Sequence, residues 1–553
     1  MKSFKCLTYF IVIALTNANE EITVDLSQGT LKGLKTTTVL SGKPYCSFKG
    51  IPYAKPPIGQ HKFDPPVAPD PWIGVLDATN HRQTCVFFCM MKQGIVGDED
   101  CLYLNVYTPD VNKDAKRAVM IFIHPGGFNA GSGDDDVYGP DFLIEQDVVV
   151  VTFNSRLGAP GFLSTGDANA PGNAGMKDQV MVLKWVKENI KNFGGCPNRV
   201  TIFGESSGSA SVQFHMMSPM SRGLFKRAIM QSGSALNPFA LIYNPKDMAF
   251  KLGETLGIKT TDTKELVDKL RELSVQDIVT ASQEVAKTMN HMNGHMGAFT
   301  PVVEPDVGQD IFLTNDPWTL VKKDDIADVP LMIGVALDET AFITPMFLPN
   351  AEMMDQHFDM FIPDDLNVTD AKRKEMSDML RKFYFDGKAL TADAKAQFTM
   401  MTSDIFFDAG ILMSSRIIGS RDKSPVYEYL FSHYSPVGIV KNLFKTEEGV
   451  SHGDDIGYLF YSNALKNKPE TGSPAEKIIK IMTKLWTNFA KEGNPTPNTD
   501  EDFTVAWTPI GSDDNYLEIN QPLKMEKGLF KERITLWAQL YNDVLGDYAK
   551  LFK

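Results

Sequence analysis

Short runs of aliphatic residues recur along the chain and alternate with helical periodicity. Six of these runs cover residues 118–123, 147–153, 200–203, 227–230, 330–335 and 426–431. Continuous apolar runs of this length are typical of strands buried on both faces, as in a parallel sheet. Between the second and third runs, apolar residues recur at spacings of three or four and predict a helix that two glycines end: Met176, Val180, Leu183, Val186, Ile190, Phe193, then Gly194 and Gly195. The sequence therefore predicts an α/β fold, with a large, mostly parallel central sheet flanked by helices.

The length of 553 residues would suit about three or four domains of ordinary size. However, we find no repeat, no low-complexity tract and no linker rich in Pro, Gly or Ser that would separate domains. The composition, 43% hydrophobic and 22% charged, is that of a globular protein with ample material for a core. A net charge of -14 argues against nucleic acid and anionic membrane surfaces as partners.

The first eighteen residues have the pattern of a secretory signal peptide. Two lysines precede an apolar stretch over residues 7–15, and small residues up to Ala18 form a cleavage site. No later stretch is apolar for long enough to predict a membrane span. Asn367 begins an Asn-Val-Thr sequon, which predicts N-glycosylation on a surface loop. We expect residues 1–18 to be removed and the protein to be secreted.

Five cysteines remain after residue 18, an odd number in an oxidising compartment. Cys85, Cys89 and Cys101 lie close together in the sequence, whereas Cys46 and Cys196 stand alone. A bridge between Cys85 and Cys101 would close a short loop without difficulty. A bridge between Cys89 and Cys101 is the alternative, and one between Cys85 and Cys89 is less favoured. A metal site is not predicted, because no histidine pair or CxxC spacing accompanies these residues.

The pattern G-x-S-x-G occurs twice, at residues 204–208 and 449–453. Ser206 follows the strand-like run 200–203 and precedes small residues that open a helix, which is the strand-turn-helix context of a nucleophile. The alternative interpretation of Ser206 is a helix N-cap. Ser451 follows a polar segment with no strand before it, so we interpret it as a loop serine.

A serine nucleophile needs a base, and the base needs an acid to orient it. His452 lies in a polar, glycine-flanked loop downstream of Ser206, as the chain order serine, acid, histidine requires. The acid should follow a strand between them. Asp338 and Glu339 follow the strand-like residues 331–334, and spacing alone does not choose between them.

Acyl transfer also needs backbone N–H donors for the developing oxyanion. The apolar run 118–123 leads directly into the sequence HPGGF, residues 124–128. Gly126 and Gly127 would let the backbone approach a substrate oxygen closely, and Ser207 would supply a third N–H. The alternative interpretation of this segment is a turn that ends a strand. We interpret His124 as structural.

With these motifs in place, the chain resembles the type-B carboxylesterases of the cholinesterase and carboxylesterase family, most of all the secreted insect carboxylesterases. The resemblance runs from FKGIPYA at 48–54 through EDCLYLN at 99–105 to FAKEGNP at 489–495. It implies one α/β-hydrolase domain over residues 19–553 in place of three or four domains. It also implies roles for the residues at matching positions: Ser206 as nucleophile, His452 as base, Glu339 as acid, Gly126, Gly127 and Ser207 as oxyanion donors, and Cys101 bridged to Cys85.

Three departures from the family pattern stand out. Pro125 occupies the first glycine position of the usual HGGGF and has no N–H, but the two following glycines, the family's donors, are retained. The elbow reads GESSG, whereas juvenile hormone esterases resemble GQSAG, which argues mildly against that subclass. No tryptophan lies between Cys85 and Cys101, where cholinesterases place their choline-stacking ring, so a quaternary ammonium site is not expected.

The activity that the resemblance implies is hydrolysis of a small-molecule carboxylic ester through an acyl-enzyme, with no metal or organic cofactor. Odorant, xenobiotic, hormone and lipid esters all remain open as substrates. A non-catalytic binding protein on the same fold is disfavoured because all three triad positions are filled. An esterase that binds esters tightly and turns over slowly remains the alternative.

Overall fold

The computed structural model describes residues 20–90, 92–421, 423–446, 448–498, 503 and 505–546. The predicted signal peptide, residues 1–18, lies outside this part of the chain. The described strands are β1 Glu21–Leu26, β2 Gly29–Thr37, β3 Pro44–Pro52, β4 Val75–Asp77, β5 Phe87–Cys89, β6 Gly94–Val96, β7 Tyr103–Thr108, β8 Arg117–Ile123, β9 Val149–Phe153, β10 Gly195–Glu205, β11 Arg227–Gln231, β12 Leu331–Ala336, β13 Val426–Phe431, β14 Asn515–Ile519 and β15 Lys524–Lys527.

The described helices lie mostly between and after these strands. They are α1 Asp141–Ile144, α2 Gly158–Phe162, α3 Ala174–Asn189, α4 Ser207–Met217, α5 Pro245–Thr255, α6 Thr263–Glu272, α7 Val275–Ala286, α8 Pro317–Lys322, α9 Thr344–Phe347, α10 Ala351–Gln356, α11 Asp370–Phe385, α12 Lys395–Ser403, α13 Ala409–Gly419, α14 Ile439–Phe444, α15 Pro474–Glu492 and α16 Lys531–Leu545. A π-helical turn, Asp404–Asp408, joins α12 to α13. None of the described helices is both long and apolar enough to cross a membrane.

One sheet collects thirteen of the described strands, in the order β1-β2-β3-β7-β9-β8-β10-β11-β12-β13-β14-β15, with β4 paired to β2. From β9 through β8 to β14 every neighbouring pair is parallel. The pairs β1-β2, β2-β3, β3-β7, β7-β9 and β14-β15 are antiparallel, and β4 pairs parallel to β2. The six predicted strands correspond to β8 through β13. The prediction of a large, mostly parallel sheet is therefore confirmed, and the antiparallel flanks add to it.

The central strands are largely apolar because both faces of the sheet are covered. Alternate residues of β8 enter different cores: Val119, Ile121 and Ile123 belong to the core that includes residues of α3 and α4, and Met120 and Phe122 belong to the core that includes residues of α15. Side chains alternate across a strand, so two covered faces favour apolar residues at most positions, with buried exceptions such as Glu428 in β13.

The predicted helix before β10 is present as α3 and a following 3₁₀ turn, Ile190–Phe193. Gly194 ends it in the left-handed region with φ of 78°. This is the conformation that glycine adopts without steric cost at a helix C-terminus. The glycine pair therefore sets the point where the chain enters β10, the strand that leads to Ser206.

The disulfide joins Cys85 to Cys101, with Cα atoms 4.8 Å apart. The predicted pairing is thus present. The alternative pairings through Cys89 are absent, because Cys89 is a free, buried thiol. Cys46 and Cys196 are also free, the first buried and the second half-buried. The bridge fixes the segment that contains the two-stranded β5-β6 hairpin.

Candidate active site

The residues predicted for the site follow neighbouring parallel strands at their carboxyl ends. The segment HPGGF follows β8, Ser206 follows β10, and Glu339 follows β12. His452 lies in the loop beyond β13 and α14. In parallel sheets these strand ends share one edge, which is where ligands bind in α/β proteins.

Ser206 occupies a strained turn between β10 and α4. Its backbone has φ of 58° and ψ of -124°, outside the regions that L-residues prefer. Its N–H donates to the Gln231 carbonyl at 2.9 Å, and its own carbonyl accepts from Ala210. Ser206 stands at the N-cap position of α4, but its side chain caps no helical N–H, so capping does not occupy its hydroxyl. The turn holds the hydroxyl at the strand edge.

Two glycines of the elbow allow this turn because β8 passes very close to it. A Cβ atom on Gly208 would lie 2.0 Å from the Ile123 carbonyl oxygen. A Cβ atom on Gly204 would lie 2.5 Å from backbone atoms of Gly208. Both distances are far shorter than van der Waals contact, so any side chain at either position would force α4 away from β8 and β10. The pattern G-x-S-x-G is therefore a packing requirement at residues 204–208.

Glu339 and His452 form a buried hydrogen-bonded pair. His452 Nδ1 lies 2.7 Å from Glu339 Oε2. The other carboxylate oxygen accepts from Ser232 Oγ at 2.6 Å and from the Ala336 N–H at 2.7 Å. Glu339 is fully buried, so these donors stabilise its charge in place of water.

The structure distinguishes Glu339 from its neighbour Asp338. Asp338 is half-buried and accepts from the Val450 N–H at 3.2 Å. It makes no hydrogen bond to His452 within the described part of the chain. The backbone reinforces the choice, because the His452 N–H donates to the Glu339 carbonyl at 3.1 Å. Of the two carboxylates, only Glu339 is placed to orient the imidazole.

Glu205, which directly precedes Ser206, faces the other side of the imidazole. Its Oε1 lies 3.0 Å from His452 Nε2, and the side chain is almost fully buried. The imidazole is thus held between two carboxylates, with Nε2 directed toward the elbow. Ser206 Oγ has no hydrogen-bond partner among the described residues. Catalytic hydrogen bonds often form only when substrate is bound.

These contacts change the ionisation of both groups. Burial alone would lower the pKa of His452, but Glu205 and Glu339 outweigh burial and raise it to about 9. Burial raises the pKa of Glu205 to about 8, although the charge of His452 acts against that rise. The cluster therefore favours a protonated, positively charged imidazole.

The segment after β8 presents free backbone donors. Gly126 and Gly127 have φ of 126° and 61°, in the range that favours glycine. A Cβ atom on Gly126 would lie 1.9 Å from the Ala130 carbonyl oxygen. Neither glycine N–H donates to a protein acceptor in the described ranges, and Ser207 is the first residue of α4, whose N–H has no intrahelical acceptor.

Pro125 and His124 stabilise the shape of this loop and do not supply its N–H donors. The ring Nδ1 of His124 lies 2.7 Å from the Pro125 carbonyl oxygen. His124 is buried, and burial lowers its pKa, which keeps the ring neutral. The amides of Asn129 and Ala130 both donate to the Gly126 carbonyl at 3.0 Å. The loop is therefore closed on itself even though Pro125 lacks an N–H.

Ser451, the serine of the second G-x-S-x-G pattern, is buried beside His452. Its N–H donates to Asp454 Oδ2 at 2.8 Å, whereas its hydroxyl is buried and finds no protein partner among the described residues. The helix α14, not a strand, precedes its loop. The second pattern thus lacks the elbow geometry.

Sequence reasoning missed Glu205 and two aromatic rings next to His452. The Phe407 ring stacks on the imidazole with centroids 4.1 Å apart, and the Phe342 ring lies 5.9 Å away. Glu205 occupies the unspecified position directly before Ser206 in the G-x-S-x-G pattern. Its contact, His452, lies far along the chain, so the sequence does not reveal the pair. No group of three His, Cys, Asp or Glu side chains suited to a metal ion occurs in the part of the chain that is described.

The fold and this arrangement define an α/β-hydrolase. A sequence profile of the Carboxylesterase family matches residues 20–537, and the chain belongs to that family. As a member of it, the chain is a carboxylic ester hydrolase.

Its relatives include insect and mammalian enzymes. A juvenile hormone esterase of Tribolium castaneum is 34% identical over 542 residues, covering 90% of each chain. A pyrethroid hydrolase, Ces2e of Rattus norvegicus, is 35% identical over 514 residues, covering 89% of this chain and 85% of the relative. The crystal structure of juvenile hormone esterase from Manduca sexta, with OTFP covalently attached, matches with a TM-score of 0.85 at 28% identity, covering 95% of this chain and all of that one. The α/β-hydrolase fold is thereby confirmed.

Proposed function

We propose that the protein is a serine carboxylesterase that uses Ser206, His452 and Glu339 as a catalytic triad. The observation that carries the proposal is the buried Glu339–His452 hydrogen bond of 2.7 Å at the same sheet edge as the strained turn of Ser206. A serine hydroxyl is a weak nucleophile, and an oriented imidazole is what activates it.

In the first step His452 accepts the Ser206 proton as the hydroxyl oxygen attacks the ester carbonyl carbon. The N–H groups of Gly126, Gly127 and Ser207 stabilise the oxyanion, and Glu339 stabilises the imidazolium. The protonated imidazole then gives its proton to the departing alcohol oxygen. Water repeats the sequence on the acyl-enzyme and releases the acid. The compound attached covalently in the Manduca sexta relative supports covalent chemistry in this fold.

The substrate class is a small-molecule carboxylic ester. The relatives named above carry the names of a hormone esterase and a pyrethroid hydrolase at nearly equal identity, so identity favours neither ester for this chain. The elbow sequence GESSG still argues mildly against the juvenile hormone subclass. A panel of esters with graded acyl and alcohol size measures the preference directly.

We also propose that the protein is secreted and that residues 19–553 form one domain. The pattern of residues 1–18 and the Cys85–Cys101 disulfide support secretion. Asn367 supports it further, because it is exposed at the end of a 3₁₀ turn, accessible to glycosylation. The single-domain proposal is supported by a sheet whose strands run from residue 21 to residue 527.

Two serine variants test the triad. We expect Ser206→Ala to lose about a millionfold in kcat for hydrolysis of a p-nitrophenyl ester, as nucleophile removal does in serine hydrolases. Ser451→Ala is the matched control from the other G-x-S-x-G pattern. Its hydroxyl is buried and unpartnered among the described residues, and we expect a loss of about ten- to a hundredfold at most. Equal losses in both variants would contradict the assignment.

The alternative function, tight binding with slow turnover, predicts a different time course. A sequestering esterase releases one equivalent of p-nitrophenol in a burst and then turns over slowly. An efficient enzyme continues to release many equivalents at a fast steady-state rate. Stopped-flow measurement of burst amplitude and steady-state rate on the same sample distinguishes the two.

A further inference from the structure

The π-helical turn Asp404–Asp408 brings an aromatic ring onto the imidazole of His452. In this turn the Ala409 N–H donates to the Asp404 carbonyl, five residues back instead of four. Such a turn inserts one residue into an otherwise continuous helix and is frequent at functional sites. Here it separates α12 from α13 and rotates the residues between them.

Phe407, inside this turn, is fully buried and stacks on His452. The two ring centroids are 4.1 Å apart and the ring planes are 27° from parallel. The Phe407 carbonyl accepts from Asn237 Nδ2 at 2.7 Å, which fixes the backbone of the residue. The ring therefore lies against a face of the imidazole.

Both ends of the π turn are held by one guanidinium from α16. Arg533 Nε donates to Asp404 at 2.9 Å, and Arg533 Nη2 donates to Asp408 Oδ2 at 2.6 Å. Both carboxylates are fully buried, and Asp404 also accepts from the Tyr384 hydroxyl. A charged clamp on residues four apart keeps the widened turn in shape, and with it the position of Phe407.

We propose that Phe407 is a positioning residue for His452 and that the face of the Phe407 ring stabilises the imidazolium formed during acyl transfer. This inference rests on the proposed function, because it matters only if His452 accepts a proton. The negative face of an aromatic ring attracts a cation stacked on it. The π turn and its Arg533 clamp exist, in this view, to keep the ring on the imidazole.

The Phe342 ring also stacks on the imidazole, but at a centroid distance of 5.9 Å it lies farther away than Phe407, and the charged groups that contact His452 face its nitrogens. Glu205 from the end of β10 faces Nε2, and Glu339 from the loop after β12 faces Nδ1. Asp455 in the same loop as His452 adds negative charge, whereas burial and the neighbouring carboxylates Asp404 and Glu339 raise the pKa of Asp408 in the π turn. All these carboxylates belong to other side chains, so removing the Phe407 ring leaves them in place.

The direction in which the acid limb of kcat/KM shifts distinguishes a positioning role of Phe407 from simple packing. If the Phe407 ring stabilises the imidazolium, its loss makes His452 a weaker base. The acid limb of kcat/KM then moves to lower pH. If the ring only excludes water, its loss hydrates the site, relieves the cost of burying the charge and moves the limb to higher pH.

The experiment compares Phe407→Leu, Phe407→Tyr and Phe406→Leu. Phe406 is the neighbour in the same turn, is also buried and has no ring contact with His452 among the described residues. We expect Phe407→Leu to lower kcat about threefold to thirtyfold with little change in KM. The proton concentration that halves kcat/KM should be about threefold to thirtyfold higher than in the wild type. Phe407→Tyr, which keeps the ring, should recover most of kcat. Phe406→Leu should keep both kcat and the pH profile.

Thermal unfolding of each variant confirms that it is folded at the assay temperature. An unchanged acid limb in folded Phe407→Leu, a limb moved to higher pH, or an equal loss in Phe406→Leu would each overturn the inference. Failure of the proposed function has a separate signature, since folded Ser206→Ala would then retain hydrolysis whatever residue 407 is.

Discussion

Replacing Glu205 by Gln removes the charge 3.0 Å from His452 Nε2 and keeps the shape of the side chain. Glu205 makes the largest of the contributions that raise the pKa of His452 from 6.5 to about 9. This net rise corresponds to about 3 kcal/mol in favour of the imidazolium. Removing one third to two thirds of it would let His452 lose its proton at a proton concentration about five to fifty times higher.

The direction of the change follows from the role of His452 as a base. A raised pKa keeps the imidazole protonated, and inactive as a base, to higher pH. Wild-type kcat/KM should therefore rise through an acid limb that lies above the ordinary range of histidine. In Glu205→Gln the limb should move to lower pH. The high-pH plateau should fall, because the same carboxylate also stabilises the imidazolium of the transition state.

The assay is kcat/KM for a neutral ester followed in a pH-stat from about pH 5 to 10, which covers the acid limb and the approach to the plateau. Asp455→Asn is the matched control. Its buried carboxylate accepts from Gln231 at 2.8 Å and from the Tyr429 hydroxyl at 3.0 Å, but does not contact His452. It should move the limb less than Glu205→Gln does. A limb in the same place in wild type and Glu205→Gln would refute the reasoning, since it would mean that Glu205 is uncharged when His452 titrates.

Two further predictions concern stability. Arg533→Ala should lower the free energy of unfolding by about 3 to 5 kcal/mol, because it leaves Asp404 and Asp408 buried without their cation; a change below about 1 kcal/mol in urea denaturation would contradict the clamp. Cys101→Ser should lower it by about 3 kcal/mol, because the bridge to Cys85 closes a loop with a sequence separation of 16. Its activity below the unfolding temperature should persist, and non-reducing peptide mapping that found Cys101 bonded to Cys89 in wild type would contradict the pairing.

The strands that carry the site could be predicted because helices cover both of their faces. That burial leaves an uninterrupted apolar run, as in β8 and β9. The antiparallel strands at the start of the chain lack this signature. In β1 only Val24 is buried, and exposed polar residues alternate with half-buried ones. A strand near the edge of a sheet has too few buried positions to stand out from a loop.

The site could be predicted only where chemistry and local context coincide. Ser206 was predictable because the elbow requires glycines at fixed positions around it. Glu339 could not be separated from Asp338 by spacing, since two adjacent side chains differ only in direction. Glu205 and Phe407 were missed for a different reason. Their contacts with His452 depend on how distant segments pack, and the π turn that places Phe407 has no sequence pattern of its own.

The central claim is that Ser206 is the residue that forms the acyl-enzyme. A fluorophosphonate probe forms a stable covalent bond with an activated serine, and peptide mass spectrometry locates it. We expect the label on the peptide that contains Ser206 in wild type and in Ser451→Ala, and no label in folded Ser206→Ala. Label on Ser451, or labelling that persists in Ser206→Ala and vanishes in Ser451→Ala, would contradict the account.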